Sequence, residues 1–201
     1  MREVKIKRSW QEITVKEAFT TQIILSNEFY EPDEKFEHII LLLSDLTKQE
    51  LINMPISEYT KCVNAVLFTM KEPEKVPITK ELVINGEKFD VDINLNNVGT
   101  GQYYAAQNIL KSDDEFFLKQ KKILGVYIRP KGKEWGEFDY DENVEFIYNN
   151  LRGDIGMTYG VFFYRIANKY MKASQSYLEK MKREEMKHLK NMNRHSTKPG
   201  V

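Results

Sequence analysis

Two hydrophobic periods share this chain. Through most of its length apolar residues recur at three- and four-residue steps, the helical spacing. Between Leu82 and Leu95 the period drops to two. There, in LVINGEKFDVDINL, Phe89, Val91, Ile93 and Leu95 alternate with Asp90, Asp92, Asn94 and Asn96. That alternation predicts a strand with one face buried and one wet. Asn85-Gly86 supplies two residues that accept positive φ, so the segment reads as a β-hairpin. The stretch VGTGQYYAAQ, from Val98 to Gln107, then returns the chain to a helix.

Helix boundaries are written in the polar residues. Thr14 and Glu17 form a capping-box pattern and predict a helix from near Val15 to about Ser26. Glu31-Pro32-Asp33 marks a turn, after which Phe36, Ile39, Ile40 and Leu43 make a helical stripe. Thr47 and Glu50 repeat the capping box and open a short helix ending at Met54-Pro55. Tyr59, Cys62, Val63, Val66, Leu67 and Met70 form a further stripe. KEPEKVP, from Lys71 to Pro77, reads as a linker. Beyond the hairpin, helices are expected over Thr100–Leu110, Asp113–Val126 and Asn143–Leu151, with a Gly-bearing loop, KGKEWGEFDY, from Lys131 to Tyr140. Gly153 to Gly156 reads as a helix break. A long helix then runs from Met157 to about Met192, with Phe163, Ile166, Ala167, Tyr170, Ser174, Tyr177, Leu178 and Met181 on one stripe. The expectation is one mostly helical α+β domain over residues 1–178 with a central two-stranded hairpin. Residues 179–201 follow as a charged helical extension with a disordered end.

Composition narrows the classes. With 201 residues, 41% hydrophobic and eleven each of Phe and Tyr, the chain can build a sizeable core. Lys plus Arg and Asp plus Glu both total 30, so the net charge is zero. A surface built throughout for nucleic acid is excluded, while a local basic patch is not. Cys62 is the single cysteine, which leaves no disulfide framework and no cysteine-based metal site. No apolar run approaches the roughly 20 residues that span a bilayer, so no membrane partner is expected. The opening MREVKIKRSW is charged and lacks the apolar core of a secretory signal.

Several constellations invite a chemical reading. Asp139, Asp141 and Asn143 match the first ligand positions of a calcium loop, but Val144 and Asn150 stand where that loop needs Gly and Glu. A solvated turn and helix cap is the expected role. Asp90, Asp92, Asn94 and Asn96 resemble a ladder of oxygen ligands, yet their strict alternation fits the wet face of an edge strand. Cys62 lies on an apolar stripe, far in sequence from His38, His188 and His195, and is expected to be a buried, inert thiol. Gly99-Thr100-Gly101 lacks the lysine and the longer glycine pattern of a phosphate loop and reads as the start of a helix. No catalytic residue, cofactor or metal is therefore expected. Two groups remain as candidate protein contacts. Trp135, Phe138 and Tyr140 cluster in the Gly-bearing loop beside Lys131 and Lys133, a pattern that suits an interface anchor or base stacking. Lys182, Arg183, Lys187 and Lys190 lie in Lys180–Lys198, which holds seven basic and two acidic residues. This stretch suits an acidic neighbour or a phosphate backbone.

WQEITV at Trp10–Val15 resembles a W-x-x-I-T opening, and LTKQELINMP at Leu46–Pro55 an L-T-x-x-E step. INGEKFDVD at Ile84–Asp92 is similar to an I-N-G hairpin, GQYY at Gly101–Tyr104 to the element after it, and VFFY at Val161–Tyr164 to a late F-F helix. In this order, along residues 10–180, the motifs resemble those of small structural and morphogenesis proteins of tailed phages that infect Bacteroidetes, including the crAss-like group. The resemblance implies a non-enzymatic protein that acts through protein–protein contacts. The leading expectation is a multi-copy virion subunit of the portal-proximal connector or tail ring, homo-oligomeric and partnered by other phage structural proteins. The alternatives are a tail assembly chaperone confined to the host cytoplasm and a nucleic-acid-binding accessory protein that uses the basic tail.

Overall fold

The computed structural model describes residues 4–94 and 98–196, with the side chains of residues 174, 175, 177, 178, 185 and 187–196 outside the description. Leu95 and Asn96 of the expected strand, and residues 197–201 of the expected disordered end, lie outside the described residues. The protein is mostly helical with one small antiparallel sheet. It divides into two compact units, residues 1–164 and residues 165–201.

The first unit begins with four helices: α1 (Val15–Ser26), α2 (Pro32–Leu43), α3 (Lys48–Ile52) and α4 (Ile56–Val66), the last running into a 3-10 turn at Leu67–Met70. Both capping boxes form. Thr14 accepts from the Glu17 N–H at 3.3 Å while Glu17 accepts from the Thr14 N–H at 2.8 Å, and Thr47 with Glu50 repeats the exchange at 3.2 and 2.8 Å. Each cap satisfies orphan donors and contributes about 1 kcal/mol. Pro32, read as a turn, occupies the first turn of α2 instead, where its fixed φ and missing N–H cost nothing. These helices close on a core of Trp10, Ile13, Ala18, Ile39, Ile40, Leu43 and Val66.

The hairpin forms, but its second strand ends at Val91, and Ile93, expected to continue the buried alternation, lies beyond it. β1 (Glu81–Ile84) pairs with β2 (Glu87–Val91), and Asn85 and Gly86 take φ of 49° and 85° in the turn. It is not a two-stranded element, however. β3 (Ile128–Pro130) adds antiparallel to β2, with Val91 opposite Ile128 and Phe89 opposite Pro130. β2 is therefore the central strand and not an edge. Pro130 is tolerated because β3 is the edge.

Helices α5 (Thr100–Lys111), α6 (Phe116–Tyr127) and α7 (Tyr140–Asn150) follow the sheet. The last helix, α8 (Gly153–Ser196), starts at the glycines read as a break. Those glycines serve close packing. A Cβ on Gly156 would lie 2.0 Å from Val15 Cγ2, and one on Gly153 would lie 2.8 Å from Ile13 Cγ1. The N-terminal strand of chain crosses here: the Gly153 N–H donates to Ile13 O at 2.7 Å, Asp154 N–H to Trp10 O at 3.2 Å, and Val15 N–H to Leu151 O at 2.9 Å. Arg152 holds the fully buried Asp154 carboxylate through two bonds of 2.5 and 3.1 Å. A similar approach joins α6 to α7, where a Cβ on Gly125 would lie 2.2 Å from Val144 Cγ2.

These distances separate two helical glycines. Gly156→Ala is expected to lower stability by about 1–3 kcal/mol through overpacking. Gly160→Ala, whose new Cβ would meet nothing nearer than 3.6 Å, is expected to be neutral or to raise stability by up to about 1 kcal/mol. Urea unfolding of the two variants checks both signs.

Candidate interaction surfaces

The aromatic loop folds onto its own chain. Positive φ at Gly132 (73°) and Gly136 (94°) turns the backbone on either side of Trp135. The indole packs on the first turn of α5, where a Cβ on Gly101 would stand 2.5 Å from Trp135 Cδ1. Trp135 meets Phe138 edge-on at 5.9 Å and Tyr140 at 5.6 Å. The Tyr140 hydroxyl donates to Lys122 O at 2.9 Å, and burial pushes its pKa up. The three residues are thus brought together, each half-buried, so a partner would meet only their outer edges.

Beneath the loop lies a polar node that the sequence did not disclose. Arg129, on β3, donates to both oxygens of Asp92 at 3.0 and 3.2 Å, lies 3.7 Å from Asp90, and donates to Lys133 O. The Asp92 hydrogen bond holds the guanidinium charge more firmly. Gln102, 5% exposed, donates to Asp92 at 2.7 Å and to Val126 O at 3.0 Å, and accepts from the Gly99 N–H at 3.2 Å. The carboxylates expected on a wet strand face are therefore partly covered and bound. β2 acquired a neighbour, and that neighbour carries an arginine. The signal was Arg129 itself, one residue past the apolar Ile128 and opposite an acidic strand face.

The other constellations resolve structurally. Asp139 caps α7, accepting from the Glu142 N–H at 2.9 Å. Asn143 is not solvated: 5% exposed, it donates to Gly125 O at 3.2 Å and Ile128 O at 2.8 Å. Gly99 stands at the N-cap of α5, as a helix start should. Cys62 lies 3.9 Å from Met54 Sδ, and burial pushes its thiol pKa up. His38 is exposed and packs on Tyr30 at 4.7 Å, so the two hold to different neighbours. Among the described residues no group of three or more His, Cys, Asp or Glu side chains could hold a metal ion. An open cleft of about 540 Å³ lies beside the N-terminal segment, floored by Val4, Ile6, Leu46 and Met54 and rimmed by Arg8, Glu50, Glu58 and Lys61.

In the second unit Lys182 and Arg183 are exposed, Arg183 lying 3.9 Å from Glu179. Met181 and Met186, on either side of them in the sequence, are 49% and 57% exposed. The side chains of Lys187 and Lys190 lie outside the described residues. Comparison with protein-family models, with curated proteins and with solved structures finds no match to this chain.

Two outcomes test the node and its surroundings. Arg129→Met leaves Asp92 half-buried without its charge partner and is expected to cost about 1–3 kcal/mol in chemical unfolding, discounted for partial exposure. Burial, with a smaller push from Asp92, raises Tyr127 from 10.0 to about 12. The folded state therefore holds this proton more tightly than the unfolded state does. The stability it contributes is complete below pH ~10 and is lost as pH climbs from ~10 through ~12. Thermal unfolding across that window, with Tyr127→Phe as control, is expected to show a fall that the control reduces.

Proposed function

We propose that this chain is a non-enzymatic structural protein of a tailed phage, present in many copies near the portal or tail and held there by protein–protein contacts. The ordered motifs from Trp10 to Tyr164 support the phage assignment. The observation that carries the contact role is the second unit, a helix that exposes Met181 and Met186 among Lys180, Lys182 and Arg183. Such a mixed apolar and cationic surface suits an acidic protein neighbour. The outer edges of Trp135, Phe138 and Tyr140 supply a second contact of the aromatic kind that interfaces favour. No helix among the described residues is long and apolar enough to cross a membrane. One observation favours a second reading: residues 165–201 hold ten Lys and Arg against three acidic residues, a density that also suits a phosphate backbone.

Quantitative mass spectrometry of purified virions, scaled to the portal protein, tests the proposal. A fixed ratio near a small multiple of the portal ring is the expected result. Absence from particles together with abundance in infected cells would overturn it in favour of an assembly chaperone.

A further inference from the structure

The zero net charge of this chain conceals a segregation. Residues 165–201 carry ten basic and three acidic residues, while residues 1–164 carry twenty basic and twenty-seven acidic ones. The two units are therefore of opposite sign and equal magnitude.

The acidic charge of the first unit has a focus at the α1–α2 turn. Residues 28–37, EFYEPDEKFE, hold five carboxylates and one cation, and all five carboxylate residues are exposed. The cation, Lys35, is directed elsewhere: its ammonium donates to Leu25 O at 3.0 Å. Among the described residues none of the five carboxylates forms an ion pair. Their field is felt nearby, because Glu37 and Asp33 add to the burial that raises the pKa of Tyr59.

Within this acidic stretch stands Phe29, 95% exposed. Its presentation is ordered, since the Phe29 N–H donates to Asn27 Oδ1 at 2.9 Å in a side-chain-closed turn. An aromatic ring held out in water by a turn, in a stretch rich in carboxylates, suits an anchor for something apolar and cationic. The second unit has that character: Met181 and Met186 are half-exposed and adjoin Lys182 and Arg183, with Lys180 one residue before. Methionine thioethers pack well against aromatic rings, and an arginine beside such a ring gains from its π-face as well.

We infer that the basic helix of one copy docks on the Phe29 knob of a second copy, with Met181 and Met186 against the ring and Lys182 and Arg183 against Glu28 and Glu37. The two surfaces differ, so the contact is head-to-tail. Repeated from copy to copy it closes into a ring or runs into a filament. This inference deepens the multi-copy reading above by naming its subunit contact, and it rests on that reading only for the ring.

Sedimentation of the full-length protein tests it. The wild type is expected to associate with rising concentration at about 50 mM NaCl and to lose that association at about 500 mM, where charges are screened within a few ångströms. Glu28→Lys/Glu37→Lys and Lys182→Glu/Arg183→Glu are each expected to weaken association about tenfold or more, and an equimolar mixture of the two to restore it. Neither pair caps a helix, and circular dichroism verifies that both fold. Phe29→Ser is a second, uncharged disruption with the same expected loss. A wild type that stays monomeric at low salt overturns the inference, as does association that survives both charge reversals or reversed variants that fail to complement. Duplex-DNA binding that Lys182→Glu/Arg183→Glu abolishes, in a wild type that does not self-associate, overturns it in favour of nucleic acid. The two levels fail separately: absence from virions removes the virion reading and leaves the contact, whereas salt-insensitive assembly removes the contact and leaves the virion reading.

Discussion

The first unit depends on one crossing. The chain from Trp10 to Val15 passes over Leu151 to Gly156 so closely that neither Gly153 nor Gly156 has room for a methyl group. Backbone hydrogen bonds fasten the approach from both sides, between Gly153 and Ile13, Asp154 and Trp10, and Val15 and Leu151. Contacts so distant in sequence close a long loop, and the entropic cost of closure has to be recovered locally. The recovery comes from the buried residues that converge here, Trp10, Ile13, Val15 and Ala18, and from the bidentate Arg152–Asp154 pair. Glycine is required for steric reasons, since a Cβ would push the two backbones apart and release the hydrogen bonds.

From that crossing the rest is tied in by polar atoms of aromatic residues. The Trp10 indole donates to Lys71 O at 3.2 Å and so fixes the start of the extended stretch that leads to the sheet. The buried Tyr159 fixes its end, donating to Pro77 O at 3.2 Å and accepting from the Thr79 N–H at 2.8 Å. A segment that composition marks as a linker thus runs between two anchors, Trp10 in the turn before α1 and Tyr159 in α8. The sheet is then held to α5 and α6 through Gln102 and Arg129, which satisfy Asp92 and the carbonyls around it. Charge and amide groups at that depth are costly unless they are hydrogen-bonded, and Gln102 and Arg129 are.

Much of this was legible in the sequence, and the exceptions share a cause. The caps at Thr14 and Thr47, the Asn85-Gly86 turn and the apolar stripes are local signals, and each produced its element. β3 is not legible because three residues ending in a proline carry no period; its existence depends on β2 offering a free edge. Gly153 and Gly156 were read as breakers because local propensity cannot reveal Val15 and Ile13 lying across them. Arg129 gains its partners only when β3 sets it opposite Asp90 and within reach of Asp92. The aromatic loop was legible as a cluster, but its seat on Gly101 was not, because the glycine that admits the indole lies in another helix. Local chemistry was readable throughout, and what was not readable was tertiary complementarity.

Native-state hydrogen exchange tests most directly the claim that the crossing governs the first unit. The amides of Val15 and Gly153 donate across it and are expected to exchange only through global unfolding, with the same free energy as those of the α2 core at Ile39 and Ile40. Exchange of Val15 and Gly153 through a cheaper local opening, while Ile39 and Ile40 stay protected, would contradict the account.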